Sequence, residues 1–225
     1  MTKGQIKPRE RDAVIQALNA GVVPRIGIQH IAVGRSKETD AILKDIEKIT
    51  DDGSAVRFII GEYGAGKTFF LNLIKQISLE KKLVVVSADL APDRRLHATS
   101  GQARNLYSEL MSNLSTRTKP DGGALQSIIE RFISDVSRNA RAENIDVEEY
   151  ITSEISTLED FVGGYDFAIV LSAYWRGFDG DDDNLKSAAL RWLKGEYSTK
   201  TEARKALGVR TIIDDASFYD HLKLM

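Results

Sequence analysis

Residues 55–68 read Ala-Val-Arg-Phe-Ile-Ile-Gly-Glu-Tyr-Gly-Ala-Gly-Lys-Thr, a short β-branched and aromatic run that passes directly into a glycine-rich loop. Gly61 to Thr68 fits G-x-x-x-x-G-K-[ST] without a mismatch, the pattern of a phosphate-binding loop. Each part has a reason. Glycines let successive backbone N–H groups, from Gly61 through Glu62, Tyr63, Gly64, Ala65 and Gly66, curl round phosphate oxygens. The amides at Lys67, Thr68 and Phe69 open the next helix and add its partial positive charge. Lys67 reaches the β- and γ-oxygens, and the Thr68 hydroxyl ligates Mg²⁺. The sequence context agrees, because an apolar run precedes the loop and Phe70, Leu71, Leu73, Ile74 and Ile77 follow it at helical spacing over Phe69 to Ser78.

A second apolar run, LVVVSAD at 83–89, comes after that helix. AVRFII reads as a buried strand, and strand, glycine loop, helix and strand within about forty residues is the order of a parallel βαβ unit. The expected fold is therefore α/β: a P-loop NTPase core with a parallel sheet over residues 1–100, and a mainly helical region over 101–225. On the N-terminal side, Arg9 to Ala20 reads as a helix closed by Gly21, and GVVPRIGIQHIAVGR at 21–35 as an irregular segment laid along a surface. A helix capped by Ser36 follows, with Ile42, Leu43, Ile46 and Ile49 on its buried face.

Beyond Pro92 the texture is helical. Expected helices are Gly101 to Ser115, Leu125 to Arg141, Val147 to Ile155, Asp160 to Trp175 and Asn184 to Lys194. Thr199 to Leu207 is another, opened by a Thr199/Glu202 capping box and closed by Gly208. The last stretch, DDASFYDHLKLM, starts an amphipathic helix without a stop signal, so the sequence reads as ending inside an element, as a fragment would.

Hydrolysis of a bound nucleotide needs an acid at the end of another strand to hold Mg²⁺. No apolar run here ends in Asp-Glu, so the strand carrying that acid, Walker B, is missing from the reading. Asp89, at the end of the second run, is the nearest candidate; a turn-capping aspartate is the plainer account of it. Asp93, Arg94, Arg95 and His97 lie just past that run, where a parallel sheet meets its ligands, and also fit solvated or ion-paired surface residues.

Composition narrows the rest. The 225 residues carry 31 Lys and Arg against 33 Asp and Glu, a formal charge of −2, with 42% hydrophobic and 28% charged residues. That balance gives no hint of a nucleic-acid partner, although a local patch can still form from residues distant in sequence. There is no cysteine, which excludes disulfides, zinc-thiolate sites and cysteine nucleophiles and leaves the cytoplasm as the default expectation. No run approaches the roughly 20 apolar residues of a membrane span. The acidic loop Asp179 to Asn184 fails the calcium-loop pattern, with Asn184 where Gly is needed and Leu190 where Glu is needed, and reads as the approach to a helix N-terminus. His30, His97 and His221 show no metal-ligand spacing. Tyr165, Tyr174, Trp175 and Trp192 read as core or interface aromatics.

Four strings carry a family resemblance: GVVPRIGIQHIAVGR, FIIGEYGAGKTFFL, ADLAPDRRLHATSGQARNLYSELMSNLSTRTKPDGGAL and RWLKGEYSTKTEARKALGVRTIIDD. Together they resemble the N-terminal half of the BREX-type phage-defence ATP-binding proteins, the BrxC/BrxD family. The VGR followed by a helix is also similar to the adenine-side box of AAA+ and STAND ATPases. The resemblance implies a nucleotide-binding module, ATP or ADP with Mg²⁺, in which Val33, Gly34 and Arg35 lie near the base or ribose and Val22 to Ile26 cover it. It implies protein partners in a defence complex, with an oligomer and a DNA contact open. Two other readings stand beside it: a small-molecule kinase using Asp89 and Arg94, and a non-enzymatic nucleotide-gated module whose helical half binds a protein.

Overall fold

The computed structural model describes residues 6–97, 100–156 and 164–224. The chain divides into two compact units, Met1–Val85 and Val86–Met225.

The first unit contains α1 (Pro8–Asn19), a 3-10 turn (Ile28–His30), α2 (Ser36–Thr50) and α3 (Lys67–Glu80). Proline opens α1, where its missing N–H costs nothing. Ser36 is the first residue of α2 rather than its cap; Arg35 takes the cap position, and its carbonyl accepts from both the Thr39 amide (2.9 Å) and the Thr39 hydroxyl (2.8 Å). α2 and α3 enclose a small core of Ile28, Ile42, Ile46, Phe70 and Leu73, with Val23, Ile59 and Leu83 partly buried against it. The irregular segment between α1 and α2 is tied at both sides: His30 Nε2 lies 3.1 Å from Glu10, and Gln76 of α3 donates to Gln29 (3.0 Å).

The parallel sheet expected from the sequence is not formed. Among the described residues there is no β-strand, only isolated bridge positions such as Ala91 with Arg94. The AVRFII run is not a buried strand either: Val56, Phe58 and Ile60 are 85%, 84% and 93% exposed, and only Ile59 turns toward the core. Residues 54–60 make no backbone–backbone hydrogen bond among the described residues. The physical reason is that a strand exists only through a partner's ladder. β-branched composition favours pairing but cannot supply the second strand. What holds the run is a side chain, since Arg57 Nε donates to Asp45 of α2 at 2.6 Å and keeps that carboxyl below the usual carboxylate range.

The second unit is helical: α4 (Gln102–Ser112), α5 (Leu125–Glu143), α6 (Val147–Ile155), α7 (Gly164–Asp179), α8 (Asp183–Leu193), α9 (Lys200–Leu207) and α10 (Phe218–Leu224). The expected start of α7 at Asp160 lies outside the described residues. Fully buried Tyr107, Leu125, Ile133, Ile151, Tyr174 and Trp192 belong to one continuous core, and each large side chain taken from water contributes about 1.5–3 kcal/mol. The acidic loop before α8 does what its position predicts: the Asp182 carboxylate accepts from the Asn184 and Leu185 amides (3.0 and 3.1 Å) and caps α8. Gly177, buried near the end of α7, permits the close return into α8, because a Cβ there would meet the Asp182 carbonyl at 2.9 Å. The caps on α9 also form, with Thr199 Oγ1 accepting from the Glu202 amide (3.2 Å) and Gly208 closing the helix at φ +76°.

Two carboxylates fasten distant parts of this unit. Asp166, 2% exposed, accepts from the amides of Arg210 (3.0 Å) and Thr211 (2.6 Å) and from the Thr211 hydroxyl (2.5 Å). Asp215 accepts from the Gly101 and Arg104 amides (2.6 and 2.9 Å) and so caps α4 from 114 residues away. The Trp192 indole donates to the Thr211 carbonyl (3.0 Å) and the Tyr107 hydroxyl to that of Leu193 (2.9 Å); burial pushes the Tyr107 phenol far above its ordinary value.

Candidate functional site

The Gly61–Thr68 loop leads straight into α3, and its conformation depends on its glycines. Gly64 and Gly66 stand at φ +80° and +79°, a left-handed geometry that side-chain-bearing residues adopt at a cost. At Gly66 a Cβ would also lie 3.3 Å from the Arg35 guanidinium. Both Gly61 and Gly64 are exposed, so the loop faces solvent.

Lys67, the first residue of α3, folds back over the loop. Its ammonium donates to the carbonyls of Gly61 and Glu62, each at 2.8 Å. A cation is thus held over the loop's mouth by two neutral acceptors, which an anion can replace with a stronger, charge-assisted partner. Thr68 is exposed and its hydroxyl has no hydrogen-bond partner among the described residues, while its carbonyl accepts from Asn72 (2.9 Å) within the helix. Tyr63 at the loop's tip is fully exposed, and Phe69 is partly buried against the small core. No carboxylate pairs with Lys67 among the described residues, and none of their acidic and histidine side chains form a group able to hold a metal ion.

Arg35 is brought to this loop from the start of α2. Its guanidinium donates to the Ala65 carbonyl (2.5 Å) and lies over the buried Phe70 ring, 5.6 Å from the centroid. The residue therefore clamps the loop between two helices, with its backbone in the first turn of α2 and its head on the loop and on α3. Val33, 84% exposed, and Gly34, at φ +77°, precede it as an open edge. Sequence reasoning placed Arg35 beside a base or ribose by resemblance; its contact with Ala65 and Phe70 had no local signal, being 30 and 35 residues away. Phe70 was legible only as a core residue.

Asp89 and Arg94 fall in the second unit. Asp89 is exposed, and Arg94 is committed to Glu109 (3.0 Å) with Asp93 at 3.8 Å. His97 and Arg95 are exposed. Trp192 and Tyr174 are core residues, Trp175 packs partly buried against them, and Tyr165 is exposed beneath the Arg210 guanidinium.

A family model described as BREX system ATP-binding protein BrxC/D matches residues 6–225. Comparison with curated proteins and with solved structures gave no match. No helix among the described residues is long and apolar enough to cross a membrane.

Proposed function

The chain belongs to the BREX system ATP-binding protein BrxC/D family, and from that premise we propose that it binds ATP or ADP on the Gly61–Thr68 loop, with Mg²⁺. The observation that carries the reading is the Lys67 ammonium, held 2.8 Å from two loop carbonyls at the opening of α3. It supplies a positive charge beside the free amides of a helix N-terminus, and glycines with left-handed φ curve the backbone round that charge. This donor set suits a polyphosphate. Lys67 would exchange its carbonyls for β- and γ-phosphate oxygens, backbone amides of the loop and of the first turn of α3 would hold the remaining oxygens, and the Thr68 hydroxyl would supply a ligand to Mg²⁺. Arg35 steadies the loop and, with Val33 and Gly34, borders the nucleoside side. The loop thus serves as a Walker A element, standing on helices α2 and α3.

Binding without turnover is the activity this chain's own residues support. Among the described residues no carboxylate pairs with Lys67 and no group of acidic and histidine side chains is able to hold a metal ion, and Arg94 is engaged by Glu109 rather than available to an acceptor substrate. The chain then acts as a nucleotide-gated module of a defence system, its helical second unit offering the surface for partners. Calorimetric titration of ATP with Mg²⁺, followed by a phosphate-release assay, tests both halves. The expected result is saturable binding with no release above buffer. Lys67→Ala removes charged hydrogen bonds worth about 1.5–3 kcal/mol each, so affinity falls at least about tenfold. Equal affinity of the variant would remove the loop from the reading, and rapid release would show that a carboxylate completes the site.

A further inference from the structure

Charge in the second unit is sharply segregated. Residues 191–210 carry six cations, Arg191, Lys194, Lys200, Arg204, Lys205 and Arg210, against Glu196 and Glu202, a net +4. The rest of residues 86–225 carry 11 Lys and Arg against 21 Asp and Glu, a net −10. The near-neutral total hides a basic helix on an acidic body.

Glu202, the one acid of this stretch on α9, is taken by an arginine outside the helix. Arg191 pairs with Glu202 at 2.7 Å, and its guanidinium lies over the Tyr197 ring, 4.5 Å from the centroid. Of the other five cations, Lys200, Arg204 and Lys205 lie on α9, all exposed and without an ion-pair or hydrogen-bond partner among the described residues. Lys200 and Arg204 stand one turn apart on α9, with Lys205 alongside. Ala203 (0% exposed) and Leu207 (7%) fasten the helix to the core, so the cations project from an anchored platform rather than a free tail.

We propose that the solvent face of α9 is a contact surface for the phosphate backbone of duplex nucleic acid. Unneutralised Lys and Arg at consecutive turns of a helix match a polyanion with closely spaced charges. The exposed positions of α9 are Lys200, Thr201, Glu202, Arg204, Lys205 and Ala206, without one large apolar side chain. A protein partner needs an apolar centre to its interface, and a phosphate backbone does not. Thr201 adds a hydroxyl of the kind that binds phosphate. The net −10 of the rest of residues 86–225 disfavours approach of a polyanion away from α9, and so helps orient it.

The test is fluorescence anisotropy of a labelled 20-base-pair duplex with the full chain at 50 and 200 mM salt. Losing three phosphate contacts lowers the salt slope by about 2.7, roughly 40-fold in affinity across that range. Lys200→Ala/Arg204→Ala/Lys205→Ala is therefore expected to bind weakly and with little salt dependence. Lys200→Arg/Lys205→Arg keeps the charge and is expected to bind as the parent does. A control, Arg131→Ala/Arg138→Ala/Arg141→Ala, alters cations that neighbour Asp135 and Asp179 and is expected to leave binding unchanged. An equal loss in the control, or an α9 triple variant that is folded by circular dichroism and binds undiminished, overturns the proposal. So does displacement of bound duplex by a polyglutamate 20-mer as effective as unlabelled duplex, which would assign the face to an acidic protein.

Discussion

Replacing Arg35 with methionine keeps the hydrophobic stem and removes the guanidinium, which isolates what that group does for the Gly61–Thr68 loop. In the native chain it donates to the Ala65 carbonyl and lies 5.6 Å from the Phe70 ring centroid. A hydrogen bond from a charged donor contributes about 1.5–3 kcal/mol when screened little. Arg35 is only half-buried, so about 1 kcal/mol is the appropriate share. The cation–π contact adds about 0.5–1 kcal/mol at such a site. Together they hold the loop in place by roughly 1.5–2 kcal/mol, and a variant that must order the loop on binding loses that amount from its affinity. At 1.4 kcal/mol per factor of ten, ATP should bind about 10–30-fold more weakly. Calorimetric titration of the parent and of Arg35→Met with Mg²⁺-ATP measures this directly. Far-ultraviolet circular dichroism should stay unchanged, because no helix loses a buried side chain. The reasoning fails if Arg35→Met binds within about twofold of the parent, since the loop would then be ordered without the clamp. Arg35→Lys separates the two contributions: a lysine can reach the carbonyl as a point charge but lacks the planar face that rests on an aromatic ring, so an intermediate loss is expected.

Asp166→Ala leaves the Arg210 and Thr211 amides and the Thr211 hydroxyl without their acceptor, and urea unfolding should show a loss of about 3–5 kcal/mol; a change below about 1 kcal/mol would mean that water replaces the carboxylate. His221 is 1% exposed, and burial holds its pKa below the ordinary 6.5 despite the Ser217 carbonyl at Nδ1 and the charges of Asp214, Asp220 and Asp166, which oppose the shift. As pH falls below 6.5 the unfolded chain takes up a proton that the folded chain refuses, so stability declines in that window; melting temperature should drop between pH 7.5 and 5.5, and His221→Gln should flatten the dependence if the imidazole is its source. Residues 54–60 have no backbone–backbone hydrogen bonds among the described residues, so their amides should exchange at close to the unstructured rate while those inside α3 are protected; protection equal to that of α3 in the free chain would mean that a sheet does form.

What the sequence revealed and what it hid divide along the range of the interactions. α2, α3, α5 and α8 were legible because their apolar residues repeat at helical spacing, and the ends of α1 and α9 because Gly21, Thr199 and Gly208 carry their signals within a few residues. The Gly61–Thr68 candidate was visible for the same reason, as eight contiguous residues contain the glycines, the cation and the hydroxyl. The sheet was misread because AVRFII and LVVVSAD have a strand's composition without a strand's partner, and pairing is a property of two segments. Arg35 on Ala65, Asp166 under Thr211 and Asp215 on the α4 N-terminus span 30, 45 and 114 or fewer positions, and no periodicity reports such contacts. The charge of −2 was accurate and uninformative, because it averages a basic helix with the acidic body that carries it.

The two candidate sites differ in how much structure stands behind them, and that difference bears on how the chain works. The α9 face rests on a helix anchored by Ala203 and Leu207 in a core that runs through seven helices. The loop rests on a cluster of five buried side chains, with one arginine clamp and a neighbouring run that lacks backbone partners. Local stability follows buried contact, so the first unit occupies the low end of the range over which segments open. A ligand that binds only the ordered loop draws the whole of that small unit toward order, by about 2.7 kcal/mol at a hundred times its dissociation constant. The large unit is already stable and gains little. On the proposed reading, nucleotide acts as a conformational ligand of the first unit, fixing the Gly61–Thr68 loop against Arg35 and Phe70. If both proposals hold, a cationic face anchored by Ala203 and Leu207 and a loop clamped by Arg35 are separate devices, one in each unit.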